Sequence, residues 1–478
     1  MEALALFSLF VAVFALVGRG TFFSSDEGGA YNTALSLVGK RSLAIAKGEN
    51  VHLGRDNRYY SCREILPALL CIPSVMMGNA LARDGRLGPP PAAQESKPGA
   101  EVNWPIFLSV LLGPLFTAGT LLCLHAFVCQ EGGSRGDALL LTVIAGCATP
   151  LLVYSKTIFP QVFEAFLLML AFLVAARWRR SGAATAALVM GIACGLSLMN
   201  RVGFVPVSVC FLAYLVFTGT AERRVRWRAV LLFLLPVMAG AAVTGLVNWL
   251  RWGSPFDAGR HRDAETFSTP IWIGVAGLLA SPGKGLWVYA PVMVLPLVFI
   301  RSLWRRGKAE VLLALTITAI YLGLYGCWYD WPGGLAWGPR FLVALIPPWL
   351  ALLGRAFLEG SGRWARATVG AVLPIGLAVQ AVGIALHPHW TRYSQTFSLA
   401  DSHLVEQTRI LFAQGPDDLW LWSHAGASAP TYMGLFLVLA GLVVVSFFWL
   451  WFHAARGERL ALLVPAGVAV LLMVGVFV

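Results

Sequence analysis

Apolar runs of membrane-spanning length recur along the whole chain, and no other feature constrains its fold as strongly. They lie near residues 3–21, 104–128, 138–154, 160–176, 183–200, 203–218, 229–249, 286–300, 310–327, 340–354, 367–386, 430–452 and 459–478. These are about thirteen runs of roughly 15–25 residues, the length a helix needs to cross a bilayer. Inside lipid the backbone must satisfy its own hydrogen bonds, so a continuous apolar run is read as a helix. Composition agrees: 58% of the 478 residues are hydrophobic and 13% are charged, too little charge to cover a soluble surface. The expected fold class is therefore all-α, a polytopic transmembrane helical bundle. The first run leads into no small-residue cleavage site and is read as a retained span.

The net charge of +12 is placed for lipid, not for nucleic acid. Arginines cluster in short connections: Arg177-Trp178-Arg179-Arg180, Arg223-Arg224-Val225-Arg226, Arg305-Arg306-Gly307-Lys308, Arg363-Trp364-Ala365-Arg366 and Arg456-Gly457-Glu458-Arg459. All fall on one side of the membrane only if the short run 65–81 does not span, which makes that run interfacial or re-entrant. The N-terminus is then cytoplasmic, as in a bacterial inner or plasma membrane. Residues 22–103, with the irregular Gly88-Pro89-Pro90-Pro91, form one long external loop containing interfacial helices. Residues 250–285, 328–339 and 387–429 are external as well. The division expected is a catalytic module over 1–354 and C-terminal helices over 355–478. The eight cysteines are scattered, mostly within spans, and lack metal-ligand spacing or a disulfide framework. No internal repeat is evident, which weighs against several transporter architectures.

Asp26-Glu27 follows the first span directly. Two readings of this pair stand side by side. Ser24-x-x-Glu27 is a capping box, and acids in a first helical turn complement the helix dipole. Carboxylates where a span meets water also suit proton abstraction from a substrate delivered by the bilayer. Lys156, Arg201, Lys284 and Arg340 fall at the same external ends, where they either snorkel to headgroups or hold an anionic phosphate. Glu164 lies about one turn inside a span, either a site residue or the ion-pair partner of Lys156. Ser281-Pro282-Gly283-Lys284-Gly285 lacks the spacing of a P-loop. Trp328, Tyr329, Asp330, Trp331 and Trp337 crowd the turn before Arg340, as sugar-stacking surface or interfacial belt. His387 and His389 flank Pro388 at another external boundary and are read as interfacial.

These residues resemble a family pattern. Ser25-Asp26-Glu27-Gly28 with Tyr31, Gly54-Arg55-Asp56-Asn57-Arg58-Tyr59-Tyr60-Ser61, Tyr154-Ser155-Lys156 with Glu164, Ser281-Pro282-Gly283-Lys284-Gly285-Leu286, and Gly333-Gly334 through Gly338-Pro339-Arg340 carry the likeness. The chain resembles membrane glycosyltransferases of the GT-C class, especially the protein O-mannosyltransferase and lipid A aminoarabinose transferase branches, over roughly residues 1–350. The resemblance implies an external catalytic loop, a polyprenyl-phosphate-sugar donor, and an Asp acting as base on an acceptor hydroxyl with inversion at the sugar. One departure is local. Where relatives commonly place a lysine after Tyr59-Tyr60-Ser61, this chain has Cys62, and Arg63 supplies a cation one residue later.

The assignment that follows puts Asp26 and Glu27 in catalysis. Arg63, Lys156, Arg201, Lys284 and Arg340 go to the donor phosphate. Tyr31, Arg58, Tyr59, Tyr60, Glu164, Trp328, Asp330 and Trp331 go to substrate binding. Helical neighbours do not share a face, so Asp26 is assigned the acceptor proton and Glu27 the fixing of the loop or a substrate contact. An ionised phosphate leaving group needs no proton, so no cofactor is required, although a divalent metal is compatible with the scheme. The expected partners are a lipid-linked sugar, a glycan, lipid or protein acceptor, and membrane lipid, but no nucleic acid. A transporter or flippase of lipid-linked sugar, and a catalytically inert sugar-lipid-binding relative, are the alternatives.

Overall fold

The computed structural model describes residues 1–83 apart from 19 and 23, 104–218, 223–260, 266–359, 362–386, 397–415, 430–453 and several positions between 459 and 467. The Pro-rich stretch 88–91, His387, His389, residues 454–458 and most of the expected span 459–478 lie outside these. Helix dominates. Helix α1 (Glu2–Val17) is apolar along its length and packs against α5 and the late helix Pro430–His453. After it come α2 (Ser25–Lys40), the short strands β1 (Val51–Leu53) and β2 (Tyr59–Ser61), and α3 (Leu66–Arg83). The strands form an antiparallel hairpin with Val51 opposite Ser61 and Leu53 opposite Tyr59. This hairpin is the small exception to the all-α expectation. Gly54 lets it sit on the end of a span: a Cβ there would come within 2.5 Å of the Arg251 carbonyl oxygen.

The remaining bundle runs through α4 (Trp104–Val110), α5 (Leu112–Gln130), α6 (Arg135–Cys147), α7 (Leu151–Tyr154), α8 (Pro160–Ser181), α9 (Ala184–Asn200), α10 (Val205–Phe217) and α11 (Arg223–Trp252). Then follow α12 (Ile271–Ala280), three short helices α13 (Leu286–Tyr289), α14 (Leu295–Val298) and α15 (Ile300–Arg306), α16 (Lys308–Gly326), α17 (Ile346–Leu353), α18 (Gly362–Ala385) and α19 (His403–Gln414). Among the described residues, six helices are long and apolar enough to cross a membrane: 104–130, 160–181, 224–252, 308–326, 340–358 and 362–385. Several shorter apolar helices pack among them. Two of the spans, 340–358 and α8, are largely buried, and α8 packs against α5, α9 and α10.

Three expected spans are drawn differently. The run 138–154 is broken at Ala148–Pro150 into α6 and α7, and 286–300 is broken into α13, a 3₁₀ turn at Pro291–Val294, α14 and α15. Pro150, Pro291 and Pro296 sit at these breaks, where the ring removes a helical donor and clashes with the preceding turn. The run 340–354 begins as a 3₁₀ turn over Arg340–Leu345. Within the expected external segment 250–285, α12 is an apolar helix packed on α16.

Three of the basic connections, 177–180, 305–308 and 363–366, meet at one end of the bundle. Arg179 pairs with Glu310 at 2.5 Å, Arg355 with Glu131 at 2.6 Å and with Glu310 at 3.0 Å, and Arg366 with Asp137 at 2.5 Å. From this end α8 and α9 run to the opposite end, where residues 160–164 and 200–201 lie. A helix of 22 residues such as α8 is about 33 Å long at 1.5 Å per residue, a full hydrocarbon thickness.

Candidate active site

The far end from the basic connections carries a second cluster of charge, built around Asp26. Ser24, whose backbone is extended, is the N-cap of α2, and Glu27 closes back on it: the Ser24 N–H donates to Glu27 Oε2 at 2.9 Å. The other Glu27 oxygen accepts from the Ile158 N–H at 2.6 Å, and the side chain is buried. Asp26, one residue earlier, points elsewhere. Its Oδ1 accepts from Arg63 Nε at 2.8 Å and from Asn50 Nδ2 at 2.9 Å, and its Oδ2 accepts from Arg340 Nη2 at 3.2 Å. The two acids therefore divide as adjacent helical residues must. Glu27 fixes the start of α2 to the 155–159 segment, and Asp26 faces a nest of cations.

Each cation arrives from a different element. Arg63 follows β2, and Arg251 at the end of α11 donates to the Arg63 carbonyl at 2.7 Å. Cys62 is buried, its Sγ 3.4 Å from the Asn50 carbonyl oxygen, so the residue that departs from the family pattern packs inward while Arg63 reaches Asp26. Arg340 ends a loop that turns through Gly333 and Gly334, both with left-handed φ (75° and 65°), a region that glycine enters without steric cost. Its guanidinium lies 4.4 Å over the Phe159 ring. Arg201 caps α9 and donates to Glu164 Oε2 at 3.3 Å, while Tyr321 donates to Glu164 Oε1 at 2.6 Å. Glu64 accepts from Arg260 at 2.6 Å.

Five guanidiniums, those of Arg63, Arg201, Arg251, Arg260 and Arg340, thus gather with three carboxylates, Asp26, Glu64 and Glu164. Among these eight side chains the positive charges outnumber the negative by two. Burial alone would raise the pKa of Asp26, but the charges of Arg63 and Arg340 outweigh it and hold the carboxyl below its ordinary value.

Other residues singled out in the sequence make their hydrogen bonds outside this nest, although the charges of Asp330 and Lys284 are felt at Arg340. Lys156 is buried and donates to the Ile384 carbonyl at 3.3 Å. Lys284 is buried and donates to the carbonyls of Gly334 and Ala336, tying the 281–285 turn to the 328–339 loop; burial pushes its pKa down to about 7. In the same loop Asp330 Oδ1 accepts from the Gly334 N–H at 3.1 Å, and burial raises its pKa. Trp331 is buried against Phe397, and Trp328 packs edge-on to Phe267. Tyr31 is buried in a cluster with Ala34, Cys71 and Val75. Tyr60 donates to Asp56 at 2.8 Å and Tyr59 lies beside it in β2, while Arg58 is exposed at the hairpin turn. Sequence reasoning missed Asn50, Gln161, Tyr321, Arg251 and Arg260. The last two were legible, since both fall in the external segment 250–285 or at its border. The first three carry no charge to mark them.

No family model and no curated protein matches this sequence. Solved structures do match. ArnT from Cupriavidus metallidurans in the apo state aligns over 99% of this chain and 75% of its own, with a TM-score of 0.52 at 11% identity. The same protein bound to undecaprenyl phosphate aligns over 99% and 76%, with a TM-score of 0.50 at 12% identity. Arabinosyltransferase EmbB from Mycobacterium smegmatis aligns over 99% of this chain and 40% of its own, with a TM-score of 0.46 at 13% identity. The fold is that of the GT-C membrane glycosyltransferases.

Proposed function

We propose that this protein transfers a sugar from a polyprenyl-phosphate donor to an acceptor hydroxyl, with inversion, at the external face of the membrane. The observation that carries the proposal is the Asp26 carboxylate held by Arg63 and Arg340 inside a nest with two surplus positive charges. A base and a phosphate site occupy one place. The ArnT structure with undecaprenyl phosphate adds a precedent for such a lipid on this fold.

The chemistry balances without further groups. The acceptor O–H loses its proton to Asp26, and the acceptor oxygen forms a bond to the anomeric carbon. The bond from that carbon to the phosphate oxygen breaks, and its electron pair leaves with the lipid. A phosphodiester monoanion becomes a phosphate monoester, whose second pKa of about 6 leaves it mostly dianionic at neutral pH. Two surplus cations match that product, so stabilisation grows as the transition state is approached. Arginine forks suit phosphate because they offer two parallel donors. In the free protein the forks of Arg63 and Arg340 each give one donor to Asp26. A donor phosphate drawing Arg63 and Arg340 to itself releases the carboxylate for the acceptor proton. Donor binding then precedes base action.

Direct binding tests this reading. Arg201→Gln and Arg340→Gln, compared with wild type in nanodiscs, are expected to weaken undecaprenyl phosphate binding by at least about tenfold, one lost charge-assisted contact. Acceptor affinity should change less. Unchanged phosphate affinity in both variants would return these arginines to a structural role.

A further inference from the structure

Gln161 is the second residue of α8, directly after Pro160, and is fully buried. With its amide oxygen turned to the nest, it accepts from Arg201 Nη2 at 2.9 Å and from Arg340 Nε at 3.2 Å. Each arginine is anchored elsewhere as well: Arg340 on Asp26 and over Phe159, Arg201 on Glu164 and against the Tyr325 and Phe341 rings. One neutral carbonyl oxygen is thus shared by two guanidiniums that repel each other. A carboxylate would hold them more tightly, but it would also cancel one of the two surplus charges. An apolar side chain would leave the two guanidiniums without a shared acceptor.

We infer that Gln161 is a positioning residue for the lipid phosphate: it fixes Arg201 and Arg340 as a pair around one acceptor atom while leaving their charge available to an anion. The inference rests on the donor reading above and adds to it a specific non-charged residue. It explains why a neutral amide stands at a point where two cations converge. The carboxylate of the same helix, Glu164, lies one turn further in and accepts from the other terminal nitrogen of Arg201, Nη1.

Charge and holding are separable by substitution. Gln161→Glu keeps an acceptor for both guanidiniums and adds a negative charge. Gln161→Leu removes the acceptor and adds none. A purely structural role predicts that the glutamate variant, with its stronger contacts, is the milder of the two. The positioning role predicts the reverse order for phosphate: Gln161→Glu weakens undecaprenyl phosphate binding by at least about tenfold, more than Gln161→Leu, while its thermal stability is the higher of the two. In turnover, donor KM rises more than kcat falls. Gln161→Asn, neutral and shorter by one methylene, serves as a further probe should the glutamate variant not fold. It cannot span both guanidiniums and is expected to weaken phosphate binding without adding charge.

The measurement is undecaprenyl phosphate binding to the full chain in nanodiscs. Wild-type binding with Gln161→Glu or Gln161→Asn equal to wild type would overturn the positioning role alone. Absence of binding to wild type would overturn the donor reading, and this inference with it.

Discussion

At Asp26, burial favours the neutral acid and two guanidiniums favour the carboxylate, and the guanidiniums prevail. The free protein therefore holds the Asp26 carboxyl, the base proposed above, below the ordinary aspartate value near 3.9. The pH dependence of kcat/KM reports the free enzyme. A base whose pKa is depressed is lost only as pH falls through that depressed value. Transfer should hold level from pH 7 to about 5, with its acid limb below the ordinary carboxylate value. Arg63→Gln removes the larger of the two charge effects and should move that limb upward in the residual activity. An acid limb at the same pH in both proteins would contradict the electrostatic account. At this scale the sequence marks what is charged. Asp26, Arg63, Arg201, Arg340 and Glu164 are legible as ionisable groups at one face, and the structure gathers them. Lys156 and Lys284 share that face, yet backbone carbonyls take up their ammonium groups, which no sequence position reveals. Asn50 and Gln161 were invisible for the opposite reason, since neutral amides are common in any loop or helix start.

At the level of elements, the capping reading of Asp26-Glu27 belongs to Glu27. Glu27 makes the cap and also holds the Ile158 N–H, so it ties the start of α2 to the turn before α8. Glu27→Ala leaves a buried N–H without its acceptor, at a cost of about 1–3 kcal/mol. Thermal unfolding in nanodiscs should show this loss, together with weakened binding of undecaprenyl phosphate where α2 and α8 no longer hold their arginine partners in register. Unaltered stability would mean that the capping and bridging contacts contribute nothing. Helix breaks were partly legible in the same way. Pro150, Pro291 and Pro296 mark the points where apolar runs divide, but hydropathy alone reads straight through them. The hairpin at 51–61 gave less warning, because three-residue strands leave almost no periodic signal.

For the whole molecule, repeated apolar runs made the helical membrane fold legible, and the likeness to ArnT agrees with it. The structure adds that the basic connections at 177–180, 305–308 and 363–366 and the Asp26 nest lie at opposite ends of α8. The arginine placement predicts an orientation in the cell, with the Asp26 end outside. A cysteine replacing Arg58, exposed at the hairpin turn, should react with an impermeant thiol reagent on intact cells, and one replacing Ser181 should be protected. The opposite pattern would turn the protein over and place the site inside. The most direct test of the account is chemical. Purified protein in lipid, incubated with a panel of polyprenyl-phosphate sugars and hydroxyl acceptors, is followed by mass spectrometry of the products, with Asp26→Asn run beside wild type. The account predicts a glycosylated acceptor from wild type, and transfer lowered by at least about 10²-fold in a well-folded Asp26→Asn that still binds undecaprenyl phosphate. Transfer by Asp26→Asn at the wild-type rate, or bound lipid-linked sugar with no product from wild type, would contradict it.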